Sequence, residues 1–111
     1  MGLTMRAREE MSMLDFPEEW GFTDMQNRLV YQLHKMAGKY ASAKKLMFIL
    51  YGETLGKMDV TPGKLRTLVL RTRDVLWDAT DGEVEIELRR NVGYKITKRH
   101  AKRLDQLLDD V

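Results

Sequence analysis

The segment IELRRNVGYKIT, from Ile86 to Thr97, most constrains the fold of this chain. Apolar and polar residues alternate on both sides of a central RRN, and alternation of this kind is typical of half-buried β-strands. We therefore expect a hairpin with strands over residues 83–88 and 92–97, whose exposed turn carries Arg89 and Arg90. The apolar positions are Ile86 and Leu88 on the first strand and Val92, Tyr94 and Ile96 on the second.

Two helical patterns open the ordered part of the sequence. Thr23, followed three residues later by Gln26, forms a capping-box signal for a first helix that should stop at Gly38. Ser42 is a suitable N-cap for a second, short helix that should end at Gly52. The apolar residues expected inside are Met25, Leu29, Val30, Leu33, Met36 and Ala37 in the first helix, and Leu46, Ile49 and Leu50 in the second.

Thr61 and Pro62 mark the start of a third helix, because threonine is a favoured N-cap and proline is favoured at the first helical position. This helix should end near Trp77 or Asp78, before the Asp81-Gly82 turn pair. A last helix is expected over residues 98–110, after the hairpin. The buried faces predicted are Leu65, Val69, Thr72 and Leu76 in the third helix, and Ala101, Leu104, Leu107 and Leu108 in the last.

The order of these elements predicts an α+β fold, a winged helix-turn-helix. In it three helices precede a two-stranded β-hairpin wing and a C-terminal helix. Residues 20–97 would form the winged domain and residues 98–111 the C-terminal helix. Residues 1–19 read as an N-terminal arm, and the sequence leaves open whether that arm is disordered or forms a short helix.

Composition narrows the class of protein. The chain has no cysteine, which excludes disulfides and thiolate metal sites, and its net charge is only +2. Basic residues nevertheless outnumber acidic ones between Lys57 and Arg103, the segment that contains the hairpin. The N-terminus lacks the apolar region of a signal peptide, and no apolar run approaches the roughly 20 residues that span a bilayer. We expect a cytoplasmic protein that does not enter membranes.

The sequence offers no catalytic constellation. His34 and His100 fall on separate predicted helices, and neither has a metal-ligating partner at the neighbouring helical positions. The glycines are too scattered to form a phosphate-binding loop. We therefore expect no enzymatic activity, no catalytic residue, no metal and no cofactor.

Basic side chains lie on the outward face of the predicted third helix. Arginine can bind the O6 and N7 atoms of guanine with two hydrogen bonds, and it can equally pair with phosphate, so this face suits the major groove of DNA. A solvated helix face is the alternative interpretation. The candidate DNA-binding residues of this helix are Lys64, Arg66, Thr67, Arg71 and Arg73.

The hairpin and the second helix supply further candidates. Arg90 at the turn could enter a minor groove, while Arg89 takes a neighbouring phosphate. Alternatively, both arginines only offset Glu83, Glu85 and Glu87 across the strands. Lys44 and Lys45, at the start of the second helix, could hold a phosphate or be merely exposed.

Two segments resemble the effector domain of OmpR-type response regulators. KLRTLVLRTRDVL, from Lys64 to Leu76, and IELRRNVGYKI, from Ile86 to Ile96, are similar to the third helix and the wing of that family. Residues 23–33 and 42–52 resemble its first two helices, so the likeness covers about residues 20–97 in the same order. The resemblance implies a winged helix-turn-helix that binds DNA, with Arg90 in the place of the family's wing arginine.

The sequence departs from that family in several places. The residues before Trp20 are too few for a receiver domain, so we expect a member without one. Apolar or acidic residues replace polar or basic ones on the third helix, and the wing differs at two positions. These departures are Leu68, Leu70, Asp74 and Val75 on the helix, and Leu88 and Asn91 on the wing.

Two functional hypotheses follow. The first is a small transcriptional regulator that binds double-stranded DNA sequence-specifically, with the third helix in the major groove and the wing in the minor groove. The second is a winged-helix interaction module that docks on RNA polymerase or another regulator through Leu68, Leu70 and the methionine-rich arm. Whether the protein forms a homodimer, for example through its last helix, is left open by the sequence.

Overall fold

A computed structural model describes residues 13–52 and 60–111 of the chain. Within these ranges the fold is α+β, with four α-helices and one two-stranded antiparallel sheet, as the sequence predicts. A short 3-10 helix, Glu18–Trp20, precedes them, at the end of the segment for which the sequence left either a short helix or disorder open. The elements are α1 (Asp24–Lys35), α2 (Ala43–Tyr51), α3 (Pro62–Ala79), β1 (Glu87–Arg89), β2 (Gly93–Lys95) and α4 (Lys98–Asp109).

The predicted helix starts are confirmed. Thr23 and Gln26 form a complete capping box before α1, with each side chain accepting a hydrogen bond from the backbone of the other residue. Ser42 caps α2, and Thr61 caps α3 with Pro62 at its first turn. Each cap accepts a backbone N–H that the helix itself cannot satisfy, so these short polar side chains fix where the helices begin.

The core lies between the helices and the inner side of the hairpin. The four predicted inward residues of α3 are all buried, and its N-terminal neighbours α1 and α2 pack against it. The turn after α3 is held by the buried Thr80 hydroxyl, which donates to Leu76 O at 2.8 Å and accepts from Val84 N at 3.1 Å. The largest fully buried side chains are Leu29, Leu33, Leu46, Leu65, Leu76, Ile86, Ile96 and Leu104.

The strands of the hairpin are shorter than predicted. Residues 84–86 approach β1 as an extended link, whose Glu85 backbone lies 3.4 Å from His100 Nδ1 instead of pairing with a strand. Ile86 is buried, but Leu88 and Val92 are 45% and 41% exposed, so the prediction that they face the core is wrong. Within the described ranges the sheet has two strands, and Leu88 and Val92 lie next to the two ends of its turn.

Backbone hydrogen bonds tie the hairpin to the linker between α1 and α2. Ala41 forms an isolated antiparallel bridge with Tyr94, and Gly38 N donates to Ile96 O at 2.8 Å. Gly93 has φ +144°, and a Cβ there would collide with the carbonyl of Ala41. The glycine of the VGY segment therefore permits close contact between two backbones.

Helix α4 returns from the hairpin to α1. His34 Nε2 on α1 lies 2.7 Å from Asp105 Oδ1 on α4, and Leu104 is fully buried. Leu107 and Leu108 are partly buried against the core. Within residues 13–52 and 60–111 no helix is long and apolar enough to cross a membrane.

The segment before α1 packs on the same core. Leu14 exchanges two hydrogen bonds with the Asn27 side chain, at 2.7 Å and 2.8 Å. Phe16 stacks on Phe22 with ring centroids 4.3 Å apart, and Trp20 lies beside both rings. The predicted N-terminal arm is therefore built against α1 from residue 14 onward, and residues 1–12 fall outside the described ranges.

Two helix predictions need correction. Helix α1 ends at Lys35 and passes through a turn before Gly38, three residues earlier than expected. Ile49 on α2 is 38% exposed instead of buried. Ala43, Met47 and Tyr51 complete the buried side of α2 in its place, since helical geometry turns Ile49 away from them.

Candidate nucleic-acid interface

The outward face of α3 carries four of its five predicted DNA-binding residues. Lys64, Arg66, Thr67 and Arg71 are all exposed, because the opposite side of the helix is fixed by its buried residues. The Thr67 hydroxyl donates to the carbonyl of Gly63 at 3.1 Å, and its oxygen can still accept a hydrogen bond from a partner.

Arg73, the fifth predicted residue, differs from the others. It lies at the edge of α3, and its Nη2 is 3.3 Å from Glu85 Oε2. The pair joins α3 to the segment that leads into β1. Since this guanidinium already has an acidic partner within the protein, Arg73 is less suited to bind a phosphate than Arg71.

Charge divides α3 along its length. The residues from Lys64 to Arg71 are basic wherever they are charged, whereas Asp74 and Asp78 lie on the exposed side of the C-terminal half. Beyond Arg71 the charged residues of the helix are Arg73, Asp74 and Asp78, so this part of α3 carries one net negative charge. A polyanion would therefore be attracted to the part of α3 that extends from Lys64 to Arg71.

The tip of the hairpin presents two arginines to solvent. Arg89 and Arg90 are exposed, and the turn closes through a hydrogen bond of 3.0 Å from Val92 N to Arg89 O. Asn91 has φ 64°, a left-handed conformation that asparagine tolerates better than most residues. Within the described ranges no ion pair involves either arginine.

The carboxylates near the hairpin pair with other basic residues. Glu83 binds Arg103 on α4 at 3.0 Å, Glu85 binds Arg73, and Glu87 lies 3.7 Å from Lys95. Each of these three glutamates thus has a basic partner other than Arg89 and Arg90, which argues against the alternative interpretation that the two arginines only offset them. The charge of the two arginines remains available to a ligand.

A cleft of about 550 Å³ separates α3 from the hairpin. Arg66 lines it from the helix and Arg90 from the hairpin, so residues 24 positions apart in the sequence face one space. Of the residues described, none that lines this cleft is acidic. The remaining lining residues are Leu88, Asn91 and Tyr94.

A smaller cleft, of about 290 Å³, also borders the hairpin. It is lined by Arg89 on the hairpin and by Ser42 and Ala43, the N-cap and the first residue of α2. Leu88, Asn91 and Tyr94 line both clefts, so the hairpin tip stands between two open spaces. As in the first cleft, the described lining contains no carboxylate.

The predicted candidates Lys44 and Lys45 line a third cleft, of about 760 Å³, on the outer side of α2. Met47, Phe48 and Pro62 also line it, and Phe48 is 68% exposed. The sequence analysis assigned Leu46, Ile49 and Leu50 to the buried face of this helix and did not identify the surface around Phe48. The helical period gave the signal, because Phe48 lies two residues from both Leu46 and Leu50 and so points away from them.

The other predicted features have ordinary structural roles. Leu68 packs partly against the core, whereas Leu70 is 39% exposed. The methionine-rich arm falls almost entirely outside the described ranges. His34 and His100 contact Asp105 and the Glu85 backbone respectively, and the described residues contain no histidine or carboxylate cluster that could hold a metal ion.

Comparison of the chain with protein-family models, with curated proteins and with solved structures found no match.

Proposed function

We propose that this protein binds double-stranded DNA as a small transcriptional regulator, and that its helices and hairpin constitute a winged helix-turn-helix. The N-terminal half of α3 would enter the major groove, and the hairpin would reach the adjacent minor groove. Lys64, Arg66, Thr67 and Arg71 would contact bases and phosphates from the helix, while Arg89 and Arg90 would do so from the hairpin.

The observation that carries this proposal is the cleft shared by Arg66 and Arg90. Two exposed guanidinium groups, from two different elements, face one open space whose described lining has no acidic residue. The sugar-phosphate backbone of a duplex is an extended anion that such a space could accept, and phosphate contacts dominate the affinity of DNA-binding proteins.

The division of charge along α3 supports the same orientation. Helix-turn-helix proteins place the N-terminal residues of the recognition helix against base edges. In α3 these are the basic residues, whereas Asp74 and Asp78 would stay outside the groove. The pattern favours insertion of the helix by its N-terminal end.

The competing hypothesis, a module that docks on RNA polymerase through Leu68 and Leu70, has less support. The side chain of Leu68 is partly buried in the core, which leaves Leu70 as the exposed member of that pair. A single exposed leucine is common on protein surfaces.

A salt titration of binding to random-sequence duplex DNA tests the proposal. Fluorescence anisotropy at about 50 to 200 mM salt should give an affinity that falls steeply, with a slope near −0.9 for every phosphate neutralised. Arg103→Ala serves as the control for removing a positive charge outside the proposed interface, because Arg103 lies on α4 and pairs with Glu83. Absence of binding at the lowest salt concentration would refute the DNA-binding proposal.

Sequence specificity needs a second experiment. Repeated selection of bound duplexes from a random library, followed by sequencing, should enrich a short motif flanked by A·T pairs where the hairpin lies. Binding without any enriched motif would show a DNA-binding protein that does not read sequence, and the regulator assignment would then fail.

A further inference from the structure

The outer side of α2 combines an exposed aromatic ring with two lysines. Phe48 is 68% exposed, and with Met47 and Pro62 it forms the apolar part of a cleft of about 760 Å³. Lys44 and Lys45 lie at one end of this cleft, and no residue described in its lining is acidic. We call these five residues the α2 patch.

Packing against the core accounts for Met47 but not for the exposed ring of Phe48. Helix α2 packs inward through Leu46 and Leu50, and its partly buried side is completed by Ala43, Met47 and Tyr51. Phe48 has no part in that packing. Apolar surface rimmed by charged residues commonly marks a protein interaction site, and aromatic side chains contribute most to such interfaces.

The positive charge of Lys44 and Lys45 limits which partners can bind the α2 patch. Two copies of the patch placed face to face would bring together four lysines, so self-association through it is disfavoured. DNA phosphates would satisfy the lysines but would gain little from Phe48, Met47 and Pro62. An acidic protein segment with large apolar side chains can interact with both parts of the surface. Its carboxylates would form ion pairs with the two lysines, and its apolar groups would be buried against Phe48.

We propose that the α2 patch binds an acidic amphipathic helix of a partner protein. The apolar side chains of that helix would cover Phe48 and Met47, and its aspartate or glutamate residues would pair with Lys44 and Lys45. This is the helix-in-groove mode of recognition, with anchors at helical spacing. The patch shares no residue with the cleft between Arg66 and Arg90.

A designed peptide probes this surface directly. The probe is a fluorescein-labelled helical peptide with leucine and tryptophan along one face and glutamate elsewhere, and its control is a scrambled peptide of the same composition. The full-length protein should bind the helical peptide at least tenfold more tightly than the scrambled one. Phe48→Ala and the double variant Lys44→Glu, Lys45→Glu should each weaken peptide binding at least tenfold, whereas Arg90→Ala should not change it.

The outcomes separate this inference from the DNA-binding proposal. Phe48→Ala should leave DNA affinity within about twofold of wild type, because the ring would touch the peptide and not the duplex. Equal binding of both peptides would mean simple charge attraction and would overturn the inference, as would an unchanged affinity for Phe48→Ala. A parallel loss of DNA binding in Phe48→Ala would assign the patch to the DNA interface instead. Circular dichroism of each variant checks that the fold is intact.

Discussion

Ala41 and Tyr94 exchange two backbone hydrogen bonds, of 2.8 Å and 3.0 Å, although they belong to different parts of the fold. Ala41 lies in the linker between α1 and α2, and Tyr94 lies in β2. The bridge fixes the hairpin against the helices at its second strand. The approach of the two backbones is possible because the residue before Tyr94 is glycine.

Gly93→Ala should strongly destabilise the protein. A methyl group there would collide with the carbonyl of Ala41, and φ +144° is a conformation that alanine rarely adopts. We expect a loss of about 3 kcal/mol in the free energy of unfolding, measured by urea denaturation. Gly63→Ala is the control, because Gly63 is helical and a Cβ there would lie 3.6 Å from Thr61 Oγ1, an ordinary van der Waals contact. It should be neutral or stabilise by about 0.5 to 1 kcal/mol. Equal stability of the two variants would contradict the role of the bridge.

Arg71 and Arg73 lie two positions apart on α3 and should differ in DNA binding. Arg71 is exposed and Arg73 is paired with Glu85. Arg71→Ala should weaken binding and reduce the magnitude of the salt slope by about 1, as expected for one lost phosphate contact. Arg73→Ala should leave both quantities near wild type and change stability by no more than about 1 kcal/mol. A larger loss of DNA affinity for Arg73→Ala than for Arg71→Ala would mean that α3 presents a different face to DNA.

Arg66→Ala and Arg90→Ala should show coupled effects on DNA affinity, because the two side chains line one cleft. Each single variant should weaken DNA binding. The loss of binding free energy in the double variant should differ from the sum of the two single losses by at least about 0.5 kcal/mol, in either direction. Anisotropy titrations of the four proteins at one salt concentration measure this coupling. Strict additivity would indicate that the two arginines contact separate parts of the duplex.

The Thr80 hydroxyl should be important for the connection between α3 and the hairpin. It is buried, donates to the Leu76 carbonyl and accepts from the Val84 amide. Thr80→Val keeps the shape but leaves the buried Val84 N–H without an acceptor, which should cost about 1 to 3 kcal/mol in the free energy of unfolding. Thr67→Val is a suitable comparison, since the Thr67 hydroxyl is exposed and makes one local bond. Similar losses in thermal denaturation for both variants would rule out this role of Thr80.

Local signals were the most accurate part of the sequence analysis. The caps at Thr23, Ser42 and Thr61 are correct because each depends on a hydrogen bond to a backbone group three residues away. The buried face of α3 is correct because one amphipathic helix repeats its pattern over 18 residues. Helix caps and the buried face of a helix depend on residues that are close together in the sequence, so they can be predicted from the sequence.

Non-local contacts could not be predicted in the same way. The sequence placed Glu83 and Glu85 near the hairpin arginines, but the fold brings Arg103 and Arg73 to them from two helices. The exposure of Ile49 likewise depends on which side of α2 meets α1 and α3. Joint placement of Arg66 and Arg90 required the packing angle between α3 and the hairpin, which periodicity does not encode.

The anchoring of β2 to Ala41, together with the bond from Gly38 to Ile96, ties the hairpin to the linker between α1 and α2, the two helices that pack on α3, before any ligand arrives. In DNA recognition, the fixed separation between Arg66 and Arg90 would have to match the spacing between neighbouring grooves of the duplex. A duplex whose grooves already match that spacing would be bound with little reordering of the protein, and the energy of bending a mismatched duplex would fall on the DNA.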